Sequence, residues 1–149
     1  MLRAFCLMIM MFSGIPAYAF TCYLTVVKDN CWKNYNVTVV AQDVEGDNPR
    51  LVTVIVPQGS LWARQKFNCK PGQSLRFNAT YTPVFWESER GKSHYLKQYW
   101  NLPKEVKAGE SAWNITLCFP KQFSQVPLPP EATNKCKCDL KNIPPVPPQ

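Results

Sequence analysis

Ser74-Leu75-Arg76-Phe77-Asn78-Ala79-Thr80-Tyr81 alternates polar and apolar residues at every step. Leu75, Phe77, Ala79 and Tyr81 point one way, and Ser74, Arg76, Asn78 and Thr80 point the other. A period of two belongs to a β-strand, and one dry face with one wet face belongs to an antiparallel sheet. The pattern recurs on both sides of this stretch. Downstream, Trp113, Ile115, Leu117 and Phe119 alternate with Asn114, Thr116 and Cys118. Upstream, Tyr35, Val37, Val39 and Ala41 share one face, as do Cys22, Leu24 and Val26. Residues 51–56 are β-branched and apolar on both sides, which reads as a central strand. Residues 84–86 and 95–100 read as a hairpin around the polar turn 87–93.

Turn formers such as 44–49 and Cys69-Lys70-Pro71-Gly72 punctuate these runs, and no stretch of ten or more residues carries a 3.6-residue period. Seven or eight short strands between turn signals predict an all-β chain, an antiparallel β-sandwich of immunoglobulin-like size. From residue 120 the character changes. Eight of the fourteen prolines lie in 120–149, and proline offers no donor to a sheet ladder. Residues 121–149 therefore read as a proline-rich, polyproline-like arm following a sandwich domain at 20–120.

The start of the chain reads as an export signal. Arg3 precedes an apolar run through Phe12, Gly14 and Pro16 break any helix, and Ala17-Tyr18-Ala19 is an A-x-A cleavage site. The apolar run is too short to span a bilayer, which takes roughly 20 residues. Residues 1–19 are thus expected to be a cleaved signal peptide, leaving a periplasmic or secreted domain with no transmembrane segment. Loss of Arg3 takes the net charge from +7 to +6. The basic residues are dispersed, with small clusters at Arg64, Lys66, Lys70 and at Lys135, Lys137, Lys141. Such a balance suits acidic or anionic partners, and the absence of a concentrated stripe or a recognisable module argues against nucleic acid.

Cys6 leaves with the signal. Cys22, Cys31, Cys69, Cys118, Cys136 and Cys138 remain, an even set that reads as disulfides in an exported chain. Cys69 precedes the strand at 74–81 and Cys118 ends the strand at 113–119. If those strands are antiparallel neighbours, Cys69–Cys118 is the favoured bridge. Cys22 and Cys31 flank the first strand, and a bridge needs Cα atoms within about 7 Å. They pair together only if that strand is short or bulged; otherwise they reach Cys136 and Cys138, tying the arm to the sandwich.

Catalytic constellations are not found. His94 is the only histidine, sits in what reads as an exposed turn, and has no Gly-x-Ser-x-Gly elbow to serve. Glu87 and Glu89, beside Arg90 and Lys92, read as a solvated turn rather than an acid–base pair. Asp43, Glu45 and Asp47 lack the spacing of a calcium loop. The chain reads as a non-enzyme without cofactor or metal. Trp113 falls on the core face, whereas Trp32, Trp62, Trp86 and Trp100 fall at strand ends or in loops. Asn36, Asn78 and Asn114 begin N-x-T triplets, which on a strand are also what a wet face shows.

The runs Thr21-Cys22-Tyr23, Lys28-Asp29-Asn30-Cys31-Trp32, Pro83-Val84-Phe85-Trp86, Ala112-Trp113-Asn114, Val126-Pro127-Leu128-Pro129-Pro130 and Cys136-Lys137-Cys138 resemble small exported Cys- and Trp-rich proteins of intracellular gammaproteobacteria, a group with no assigned activity. The resemblance implies a periplasmic setting. By analogy with other small periplasmic β-domains, it also implies an accessory place in an envelope machine such as a type IV secretion complex. It brings no catalytic residue to this chain. The leading expectation is a structural or protein-interaction domain whose arm docks on a protein in the cell envelope through Pro127, Leu128, Pro129, Pro130, Ile143, Pro144, Pro145 and Val146. A carbohydrate-binding module stacking a glycan on Trp62, Trp86 and Trp100 is the alternative. A thiol or metal protein using Cys136 and Cys138 is the third reading.

Overall fold

The computed structural model describes residues 19–149, and the expected signal peptide lies outside the described residues but for Ala19. Eight strands follow: β1 (Phe20–Lys28), β2 (Asn36–Asp43), β3 (Arg50–Val56), β4 (Trp62–Cys69), β5 (Ser74–Thr82), β6 (His94–Tyr95), β7 (Trp100–Asn101) and β8 (Trp113–Phe119). They form two sheets, one ordered β4-β1-β8 and the other β3-β2-β5-β6 with β7 also pairing β5. The inward residues of each sheet meet in one core. Leu75, Phe77, Ala79 and Tyr81 supply it from β5, Val37, Val39 and Ala41 from β2, Cys22, Leu24 and Val26 from β1, and Trp113, Ile115, Leu117 and Phe119 from β8. The all-β sandwich expected from alternation is therefore present.

Its strand order departs from the sequence reading in four places. β8 runs parallel to β1, with Cys22 opposite Trp113 and Val27 opposite Cys118; every other named pair is antiparallel. β3 is an edge strand rather than a central one, with only β2 as its neighbour. Val54 and Val56 enter the core while Ile55 is left 56% exposed. β4 carried too few apolar residues to be read as a strand: only Phe67 and Cys69 are buried in it, and the polar Arg64, Gln65 and Lys66 dilute the alternation. The expected hairpin of 84–86 with 95–100 does not form. Glu87–Glu89 is a 3₁₀ turn, and His94 and Tyr95 instead pair Ala79 and Asn78 of β5.

β1 is buried on both faces, so Tyr23, Thr25 and Val27 are covered as well as Cys22, Leu24 and Val26. At one end of the sandwich Trp32 is fully buried, contrary to its expected loop position. Its ring packs against Tyr35, Tyr81, Phe85 and Phe119 at centroid distances of 5.2, 4.9, 5.8 and 4.9 Å. At the other end, the turn after Cys69 needs a left-handed residue, and Gly72 supplies it (φ 74°) while donating its N–H to Pro103 O.

The expected Cys69–Cys118 bridge is absent. β8 lies in the other sheet from β5 and parallel to β1, so Cys118 falls beside Val27 while Cys69 falls beside Phe20, at opposite ends of one sheet. The bridges are Cys22–Cys69, Cys31–Cys136 and Cys118–Cys138. The first links neighbouring strands inside the core, and the other two fasten residues 120–149. That segment contributes no named strand. Phe123 bridges Leu96 and is buried, and Val126 packs against the core.

Candidate functional site

The geometry around Cys136–Cys138 is built from both the sandwich and the proline-rich segment. After β1, Asp29 caps a 3₁₀ turn at Asn30–Trp32, its carboxylate accepting from Cys31 N at 2.9 Å. Burial pushes the Asp29 carboxyl up, and the backbone bonds from Cys31 and Trp32 oppose that. Asn30 then grips Lys137 twice. Its side-chain oxygen accepts from Lys137 N at 2.8 Å and its own N–H donates to Lys137 O at 3.3 Å. With a disulfide on each side, at Cys136 and Cys138, this three-residue stretch is held at every position. Tyr35 Oη donates to Glu131 Oε2 at 3.0 Å, a further tie. Burial and the Glu131 charge push the Tyr35 phenol up to about 12.

This anchoring frames a cleft of about 580 Å³ lined by Asn30, Lys135, Lys137, Cys138, Leu140 and Lys141. Leu140 is 55% exposed there, alongside three exposed lysines. Asp139, the one acidic group in the lining, already accepts from Lys141 N and from Asn142 Nδ2. The lining therefore combines an exposed leucine with three lysines.

The residues expected to bind a partner separate into two groups. Leu128 is 65% exposed, between the buried Pro129 and the half-buried Val126 and Pro127, and Pro130 is exposed. Ile143 and Val146 are half-buried. Pro144 and Pro145 present their carbonyls to Arg64 of β4, which donates to them at 2.9 and 3.2 Å.

The three stacking tryptophans are not gathered into one platform. Trp62 begins β4 opposite Val27. Trp100 pairs Leu75 at the far end of the sandwich. Trp86, 49% exposed, edges onto Phe85. Both sulfurs of the C-x-C pair are in disulfides. Ligand atoms of Asp29, Cys31 and Cys136 do lie within 4.8 Å of one another, but two of the three are a single disulfide and offer no thiolate to a metal.

His94 is buried, not exposed. Its ring stacks on Tyr81 at 6.0 Å, Nδ1 lies 3.1 Å from Ser124 O, and Nε2 lies 3.6 Å from Glu89 Oε2. Glu89 also meets Lys92 at 3.4 Å, and the exposed Glu87 pairs with Arg90 at 2.9 Å, which pulls the Glu87 carboxyl down. The two glutamates thus have separate cationic partners.

Two side chains that sequence reasoning missed organise the molecule. Lys28 is fully buried at the end of β1, and its ammonium donates to the carbonyls of Tyr35, Pro57 and Lys33 at 2.7, 3.0 and 3.3 Å. Burial lowers its pKa to about 8. Arg64 joins β1, β4 and the proline-rich segment. Its only sequence signal is its place in the basic run before Cys69.

No protein-family model matches the chain, and no curated protein matches it in sequence. Three disulfides mark a protein of an oxidising, extracytoplasmic compartment. Among the described residues, no helix is long and apolar enough to cross a membrane.

Proposed function

We propose that this chain is an exported, non-enzymatic interaction domain, an accessory subunit of a cell-envelope assembly whose partner presents an acidic face. The observation that carries the reading is the cleft around Leu140. An exposed leucine sits among Lys135, Lys137 and Lys141 on a backbone immobilised by Cys31–Cys136, Cys118–Cys138 and the Asn30–Lys137 pair. A preorganised segment loses little conformational entropy on docking. Its three lysines select acidic partners and speed encounter, while the exposed leucine supplies apolar burial. The exposed Leu128 extends the same segment as a second contact.

A photo-crosslinking residue placed at Leu140 of the exported chain tests this. The expected result is one adduct of discrete mass, lost when Lys135, Lys137 and Lys141 are all replaced by glutamate and weakened by salt. Adducts that persist unchanged after the charge reversal would overturn the reading. So would their absence from a chain recovered with all three disulfides.

A further inference from the structure

A second surface, remote from Leu140 in chemistry and composition, is occupied by the chain itself. The register of β1 against β4 places Tyr23 opposite Lys66, Thr25 opposite Arg64 and Val27 opposite Trp62. These six side chains share the outer face of the β4-β1-β8 sheet, because residues two apart on a strand point the same way. Arg64 is the centre of that face. Its Nε donates to Thr25 Oγ1 at 2.7 Å, and Thr25, fully buried, donates in turn to Asn114 Oδ1 at 2.9 Å. The guanidinium lies 5.5 Å from the centre of the Trp62 ring. So held, it aims its two remaining nitrogens outward, Nη2 to Pro144 O at 2.9 Å and Nη1 to Pro145 O at 3.2 Å. Tyr23 Oη accepts from Gln149 Nε2 at 2.7 Å. A cleft of about 610 Å³ runs between Tyr23, Trp62, Arg64, Pro144, Pro145 and Pro147.

We propose that the Tyr23–Trp62–Arg64 face is a recognition site for polyproline-type segments of another polypeptide, and that residues 144–149 are its resident competitor. The chemistry fits this ligand class. A polyproline helix makes no internal hydrogen bonds, so its carbonyls are free acceptors, and its stiffness lowers the entropy cost of docking. Two successive proline carbonyls meet the fixed fork of one guanidinium, in a cleft that Tyr23 and Trp62 also line. The geometry also makes the resident segment displaceable. Residues 144–149 contain no cysteine and no buried residue, so releasing them breaks no disulfide and withdraws no side chain of the segment from the core. This surface shares no residue with the lysine-lined cleft and does not depend on the reading drawn from it.

The experiment uses the full chain, isotope-labelled for NMR, and an unlabelled peptide of residues 142–149 as the probe. In one variant the chain stops at Ile143, which removes both carbonyls on Arg64 and the Gln149 amide on Tyr23, empties the face and keeps every cysteine. The expected result is saturable shifts at the Trp62 indole N–H and the Arg64 Nε–H in that variant. Binding to the unaltered chain should be at least tenfold weaker, because the resident segment competes at an effective concentration in the millimolar range. Adding Arg64→Ala to the emptied variant should abolish the shifts. Arg64→Lys should not restore them, since an ammonium lacks the planar fork that bonds Thr25 and two successive carbonyls from three separate nitrogens. Equal binding to the emptied and unaltered chains, or no shift in β1 and β4 at millimolar peptide, would overturn the proposal. Concentration-dependent self-association of the unaltered chain through the same residues would make the occupant a second copy and overturn the assignment to another polypeptide.

Discussion

Replacing Lys28 with methionine should remove a rise of stability with pH that the native chain shows above neutrality. The Lys28 ammonium is sealed from solvent and its pKa falls from the ordinary 10.5 to about 8. Between those values the unfolded chain binds a proton that the folded chain does not, so native stability rises with pH across this window. From pH 7 to pH 10 the gain is on the order of 2 to 3 kcal/mol, at about 1.4 kcal/mol per pH unit of differential protonation. Lys28→Met removes this slope. At pH 7 it also removes the burden of a buried charge while depriving Tyr35 O of a donor, at about 1–3 kcal/mol. Lys33 O and Pro57 O keep bonds from Gly59 N and Ser60 N. The variant should therefore lie within about 2 kcal/mol of the native protein at pH 7 and lose on the order of 2 to 3 kcal/mol relative to it by pH 10. Tyr35 and Tyr81, whose phenols are raised, act in the opposite sense above pH 10, but they are common to both proteins and cancel in the difference. Urea titrations followed by tryptophan fluorescence between pH 7 and 10 provide the measurement. A native-minus-variant difference that stays flat over that range refutes the reasoning.

Two further outcomes follow from the core and the bridges. Trp32→Ala should cost about 3–5 kcal/mol, as for a large buried aromatic removed from a packed site. Trp32→Phe should cost less than half as much, because it also removes an indole N–H that has no acceptor; denaturant midpoints of both variants check the order. Under mild reduction with quenching by a labelled alkylating agent, Cys31–Cys136, whose residues are part-exposed, should open before Cys22–Cys69, whose residues are 0% and 1% exposed. Peptide mapping reads the sequence of opening, and simultaneous labelling of all six cysteines would contradict it.

The strands that form the core were legible because each buries alternate residues and the chain writes that alternation openly, as in Leu75 to Tyr81 and Trp113 to Phe119. β4 was not, because its outer face meets Thr25 and the proline-rich segment through Arg64 rather than through apolar contact. His94 looked like a loop residue because its polar neighbours suggested a turn. A two-residue strand on β5 and the Tyr81 ring bury it regardless. Of the candidate site, the lysine cluster at 135–141 and the C-x-C pair were visible in sequence. Leu140 as a member of it was not, since nothing local distinguishes an exposed leucine from a buried one.

Local pattern alone thus determined that the chain is all-β, that six cysteines are paired, and that the prolines of residues 120–149 lie outside the sheets, because period, parity and the missing proline donor act within a few residues. Strand order, the parallel β1–β8 pair, the actual bridges, the burial of Lys28 and the seating of Pro144 and Pro145 on Arg64 were decided by tertiary structure. Each of these joins residues far apart in the chain. Their energies come from closing the core and satisfying buried polar groups in three dimensions, which no short window of sequence contains.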